Sequence, residues 1–165
     1  MRGTRVVLPE RTVEATTTLR IAGRSLELLH FGWASTPGDL AVLDRTSGVL
    51  FAGGLVTSKR IPELRDGKLQ GWLDALVALQ MVPAQAVVPG HGPVACADAI
   101  ESTRAYLLAL DRKARELYDS GRSLLEAVDE SSLPDYAQWG SYPVLNRKNL
   151  QQRYLEYEVE DLEKR

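Results

Sequence analysis

The sequence predicts an α/β domain of α+β layered type: a mainly antiparallel sheet, helices on one side of it, and a helical extension at the C-terminus. Three observations carry this expectation. Four strand-like runs fall between residues 12 and 52, which implies strands joined by short turns and hence antiparallel neighbours. The hydrophobic period then changes from two to about 3.6 over residues 68–81. Finally, a short apolar run, Ala86-Val87-Val88, stops abruptly at Pro89-Gly90-His91-Gly92-Pro93, as a buried strand does when it empties into a constrained turn.

Taken in order, residues 12–21 place Val13, Ala15, Thr17, Leu19 and Ile21 on one face. Ala22-Gly23-Arg24 is a turn signal, and 25–31 resumes the alternation, so the pair reads as a β-hairpin. Two further strands are expected near 39–44 and 48–52, separated by Arg45-Thr46-Ser47-Gly48. Leu69, Trp72, Leu73 and Leu76 form an apolar stripe at helical spacing, a core stripe that Pro83 closes. A long helix is expected from 96 to 120, ended by Gly121, and a short one over 122–130. Residues 131–144 are rich in turn formers, and 146–164 read as a charged final helix. The natural division is 1–125 for the layered part and 126–165 for the helical extension.

The chain has 165 residues, 44% hydrophobic and 25% charged, with a net charge of −2. That is ordinary globular composition, and it offers no electrostatic reason to expect nucleic acid or an anionic membrane as a partner. No apolar stretch approaches the roughly 18–20 residues of a membrane span. The N-terminal residues lack the apolar centre of a signal peptide, so a cytoplasmic location is expected. Cys96 is the lone cysteine; without a partner it is expected to be a small buried or half-buried thiol.

The segment with most chemical content is Val87 to Pro93. Prolines fix φ and glycines permit sharp turns, so such a turn holds the His91 imidazole at a sheet edge, as a metal ligand or general base requires. A solvent-facing turn histidine is the plain alternative. Two other segments bear on the choice. Phe31-Gly32-Trp33-Ala34-Ser35-Thr36-Pro37-Gly38-Asp39-Leu40 resembles the AHTPGD segment of the metallo-β-lactamase superfamily, Val49 to Val56 resembles its LFxGD strand, and Val88 to Gly92 its PGHG turn. The three occur in the family's order with a helix between the second and third. The likeness covers roughly residues 12–125 and is nearest to quinoprotein-relay hydrolases and glyoxalase II relatives. It implies the C-terminal half of the αββα fold, because the HxHxDH motif of the N-terminal half has no counterpart among these residues.

What the resemblance implies about metal is mostly loss. Ser35 stands where the family presents a histidine, and Gly54 where it supplies a bridging aspartate; of the usual ligands only His91 remains. Catalytic zinc needs about three protein ligands and an open position, so no cofactor is expected unless other groups rebuild a zinc site. His30, Asp39, Asp44, Asp66 and Cys96 are the donors within the chain. His30 shares a strand face with Leu26 and Leu28 and reads as a packed strand residue; Asp39 reads as a loop-stabilising carboxylate. Trp33, with Asp39 and His30, is a possible pocket residue. Lys59, Arg60 and Arg65 either face the mouth of the site or, the simpler reading, are solvated charges.

The leading expectation is therefore a hydrolase-like fold that has lost its metal chemistry and serves as a binding or interaction module. The alternative is a zinc-dependent hydrolase of ester, thioester or lactam-like bonds, active only when a partner supplies HxHxDH; a third reading is a truncated gene product with no function. Half of a face-to-face sheet pair leaves an apolar sheet surface in water. A partner is thus expected, either a second copy or a chain carrying the N-terminal half, with no nucleic acid or membrane involved.

Overall fold

Ile21 and Arg24 pair across the two-residue turn Ala22–Gly23, whose φ angles of 48° and 75° are both positive. Two consecutive positive φ values mark a type I′ turn, which matches the right-handed twist of a hairpin. This turn joins β1 (Thr17–Ile21) to β2 (Arg24–His30) in the computed structural model, which describes residues 3 and 5–164. β3 (Leu40–Asp44) and β4 (Val49–Thr57) continue the antiparallel meander, and β5 (Ala86–His91) adds to β4 in parallel after a helical crossover. Strand order is the order in the chain, β1-β2-β3-β4-β5.

The helices are α1 (Leu69–Gln80), α2 (Asp98–Asp119), α3 (Leu124–Asp129) and α4 (Tyr142–Glu163), with a 3₁₀ turn at Pro134–Tyr136. The expected layered α/β class and mainly antiparallel sheet are present, and the parallel β5 makes the sheet mixed. Differences lie at boundaries. β1 begins at Thr17, and residues 12–16 form no regular element. β4 runs five residues past its expected end, through Gly53 and Gly54 to Thr57, because those glycines lie against β5 rather than ending the ladder. α4 begins at Tyr142, not 146: Pro143 sits in the first turn, where its missing N–H costs nothing and its fixed φ suits a helix.

One sheet face is dry. Ala41, Leu43, Leu50, Ala52 and Val87 point to it and are at most 2% exposed. They meet Trp72, Leu76 and Leu79 of α1 and Ile100, Tyr106 and Leu107 of α2, so the periodicity read at 69–79 is indeed a core stripe. α4 and α3 pack outside on α2. Asn149 ties these layers to the sheet's connecting loop: its amide oxygen accepts from Leu64 N–H at 3.0 Å and its Nδ2 donates to Pro62 O at 2.7 Å.

The other face is only partly shielded. Cross-strand partners share a face, and Leu19–Leu26, Leu28–Val42, Val42–Phe51 and Phe51–Val88 therefore run as one apolar band. Phe51 is 47% exposed, against 0% for its neighbour Leu50 on the dry side. Leu19, Leu26, Leu28, Val42 and Val88 along the band are half-buried, and no helix of the described residues lies on this side. Among the described residues no helix is long and apolar enough to cross a membrane.

Candidate functional site

The loop 31–39, the end of β4 and the end of β5 meet at one end of the sheet. Asp39 organises the first of these. It is buried, and its carboxylate accepts from Ser35 Oγ at 2.8 Å, Thr36 N–H at 2.6 Å and Thr36 Oγ1 at 3.2 Å. A carboxylate reaching back to an N–H three residues earlier closes the loop on itself. Asp39 thus has the loop-holding contacts read from its sequence context.

β4 and β5 approach through glycine. A Cβ on Gly90 would lie 2.4 Å from Gly53 O, and one on Gly92 would lie 1.9 Å from Ser58 O; Gly92 also has φ of +95°. Only glycine permits this approach. The backbone bond from Ser58 N–H to His91 O, 2.9 Å, then fixes the turn. Thr57 is anchored in turn, its N–H donating to Thr103 Oγ1 at 3.1 Å while that hydroxyl lies 3.0 Å from Thr57 O. His91 consequently sits on an exposed but well-held backbone.

Ser35, Gly54 and His91 all line a cleft of about 170 Å³. The Cβ position of Gly54 points at Ser35 Oγ, 3.1 Å away. Three residues distant in sequence are therefore brought together. The opposite wall comes from the loop after β4: Glu63, Arg65 and Asp66. Arg65 pairs with Asp66 at 3.1 Å and Glu63 at 3.7 Å, and the hydrogen bond it donates to the Asp66 carboxylate raises the Arg65 pKa. Trp72 closes the floor, its Nε1 donating to Leu55 O at 2.8 Å.

The other sequence candidates lie elsewhere. Trp33 lines a separate groove of about 870 Å³ between α1 and α4, where its ring carries Lys68 Nζ at 4.2 Å from the centroid. Its direction is set by an Nε1 bond to Asp66 O, 2.7 Å, and by Gly71, whose Cβ would strike Trp33 O. His30 is half-buried on the open sheet face, paired with Leu40, and lines neither cavity. Asp44 serves the β3–β4 turn, accepting from Ser47 Oγ at 2.8 Å and Thr46 N–H at 3.0 Å. Cys96 is exposed, contrary to the burial expected of it, because it falls in the loop after Pro93 and before α2 rather than inside a helix. Lys59 and Arg60 do not line the cleft, whereas Arg65 does. Sequence reasoning passed over Thr57 and Glu63, whose segment bears no motif.

The donor set does not fit a metal pair. Ser35 Oγ is committed to Asp39, Gly54 has no side chain, and both carboxylates on the far wall are engaged by Arg65. Among the described residues no group of three or more His, Cys, Asp or Glu side chains is placed to hold an ion.

No protein-family model matches the sequence, and comparison with curated proteins finds no match. Solved structures do match. A metallo-β-lactamase from Pontibacter korlensis superposes with a TM-score of 0.56 at 30% identity, covering 61% of this chain and 49% of that one. The stereoselective inverting sec-alkylsulfatase Pisa1 from Pseudomonas sp. superposes with a TM-score of 0.73 at 20% identity, covering 92% of this chain and 27% of that one. The chain thus spans about half the length of the first and about a quarter of the second. Its fold is that of the metallo-β-lactamase superfamily, in part.

Proposed function

We propose that this chain is a hydrolase-like half-fold without metal chemistry of its own, acting as an interaction module. The observation that carries the reading is the contact between the Gly54 Cβ position and Ser35 Oγ in the cleft beside His91. At the two positions where the family resemblance puts first ligands, one residue has no donor and the other has its hydroxyl engaged. One imidazole alone gives a weak, exchangeable metal adduct.

The module's working surface, in this reading, is the open sheet face. An apolar band with Phe51 at its centre invites cover, since exposed contiguous apolar patches mark interaction sites. The partner is a segment carrying the N-terminal half of the same fold. Support comes from coverage: the Pontibacter relative contains about as much chain again beyond the matched part.

Zinc content by elemental mass spectrometry, on protein purified without a metal-affinity column, tests the reading. Background zinc in both the natural chain and His91→Ala is the expected result. Near-stoichiometric zinc that is lost in His91→Ala would overturn it, in favour of a zinc-dependent hydrolase whose remaining ligands come from a partner.

A further inference from the structure

We infer that α4 is a two-fold interface through which two copies of this chain associate with their α4 helices antiparallel. The inference is independent of the cleft and of the open sheet face.

The first observation is an unpartnered stripe. Asn146, Asn149, Leu150, Tyr154 and Tyr157 of α4 are buried within the chain. On another face, Val144, Lys148, Gln151, Leu155, Val159 and Leu162 follow one another at intervals of three or four residues, which places them in a single line along the helix. Its four apolar members are 56%, 39%, 53% and 67% exposed in chain order. A monomer's surface helix ordinarily keeps its apolar residues on the buried face.

The second observation is a groove of matching form. α1 and α4 both pack on α2 and leave a channel of about 870 Å³ between them. Trp33, Leu69 and Leu73 supply one wall, Leu155 and Val159 the other. An amphipathic helix laid in such a groove is a familiar mode of recognition. Because the stripe itself forms a wall of the groove, a two-fold axis through α4 fills both grooves at once.

The third observation identifies the occupant. Residues 142–153 carry Arg147, Lys148 and Arg153 and no acid; residues 154–163 carry Glu156, Glu158, Glu160, Asp161 and Glu163 and no base. Arg147 is paired to Asp129, and Arg153 to Asp111, Glu156 and Glu160, within the chain, so the exposed Lys148 is the base turned outward on this face. A single helix prefers the reverse, acids at its N-terminus and bases at its C-terminus. Two such helices laid antiparallel put each basic half beside an acidic half, which sets both partner and direction. With the axis at Leu155, Val159 faces Gln151, Leu162 faces the aliphatic stem of Lys148, and the exposed Lys148 ammonium lies on the flank of Glu163 of the second copy.

Sedimentation equilibrium of the full chain, with thermal unfolding to confirm that each variant is folded, decides the matter. The chain is expected to be a dimer. Leu155→Glu, at an exposed position, should weaken it at least about 30-fold, the effect of losing a central anchor. Phe51→Glu, on the open sheet face, should leave the dimer unchanged. Lys148→Glu and Glu163→Lys should each weaken it, and the two together should restore most of the loss. A monomer at every concentration measured would overturn the inference. So would a dimer that Phe51→Glu splits and Leu155→Glu does not, or a charge-swapped pair no better than its singles.

Discussion

The Cβ direction of Gly54 meets the Ser35 hydroxyl at 3.1 Å, so two positions nineteen residues apart share one small volume beside His91. That closeness makes the missing donors restorable in principle by substitution. Ser35→His with Gly54→Asp, together with the natural His91, would present two imidazoles and a carboxylate to one cleft, the minimum for a firm zinc site. After dialysis the double variant should retain zinc where the natural chain retains none. Equal zinc in the two proteins would show that the cleft's shape, and not only its residues, differs from that of a metal site.

The β4–β5 junction should be intolerant of any side chain. Gly92→Ala places Cβ against Ser58 O at a positive φ, and Gly90→Ala drives it into Gly53 O; these atoms are backbone and cannot swing aside. Each substitution should cost at least about 2 kcal/mol. Gly38→Ala, with nothing within 4 Å of its Cβ position, should be nearly neutral. Chemical denaturation of the three variants makes the comparison, and equal midpoints for all three would contradict the close approach.

Asn149 holds the cleft's wall to α4. Asn149→Leu keeps the volume but strands Leu64 N–H and Pro62 O, and it also removes the bond to Tyr106 OH at 3.0 Å. Leaving buried polar groups unpaired should destabilise the chain by about 2–4 kcal/mol. Urea titration measures this, and a loss below about 1 kcal/mol would mean that water takes over the amide's bonds.

Acid should reach the β3–β4 turn late. The Ser47 hydroxyl, then the Thr46 N–H and the Arg24 guanidinium, outweigh burial and hold the Asp44 carboxyl down at about 2 from its ordinary 3.8. A depressed carboxylate pKa stabilises the folded chain fully above the ordinary value, and that contribution fades as pH falls through the folded one. Between about pH 4 and 2, the natural chain should therefore lose stability more steeply than Asp44→Asn. Parallel curves would remove Asp44 from the acid response.

Much of this was readable in advance, for local reasons. Alternation, turn chemistry and the change of period depend on near neighbours, and they placed the hairpin, α1 and the Val87–Gly92 turn correctly. The gathering of Ser35, Gly54 and His91 was legible because those segments carry family-like motifs. Trp33 was not, because a bond to Asp66 O and the bare backbone of Gly71 turn it toward α4, and neither contact has a sequence signature. Pro143 has the character of a turn residue, yet at the second position of α4 the same fixed φ opens a helix. Arg65 was legible as a charge near the mouth, but its pairing with Glu63 and Asp66 had no sequence signature, since a loop's wall is defined by where it lands.

The open sheet face also bears on how the chain responds to temperature. Heat capacity rises on unfolding because apolar surface meets water, by about 2–2.5 kcal/mol/K for 165 residues. Here Phe51 and its neighbours on the band are partly hydrated before unfolding begins. The isolated chain should fall below that figure, with a flatter stability curve and weaker cold destabilisation than a fully covered domain of its length. Closing the face would steepen the curve, so calorimetry registers its cover even when the fold beneath does not change.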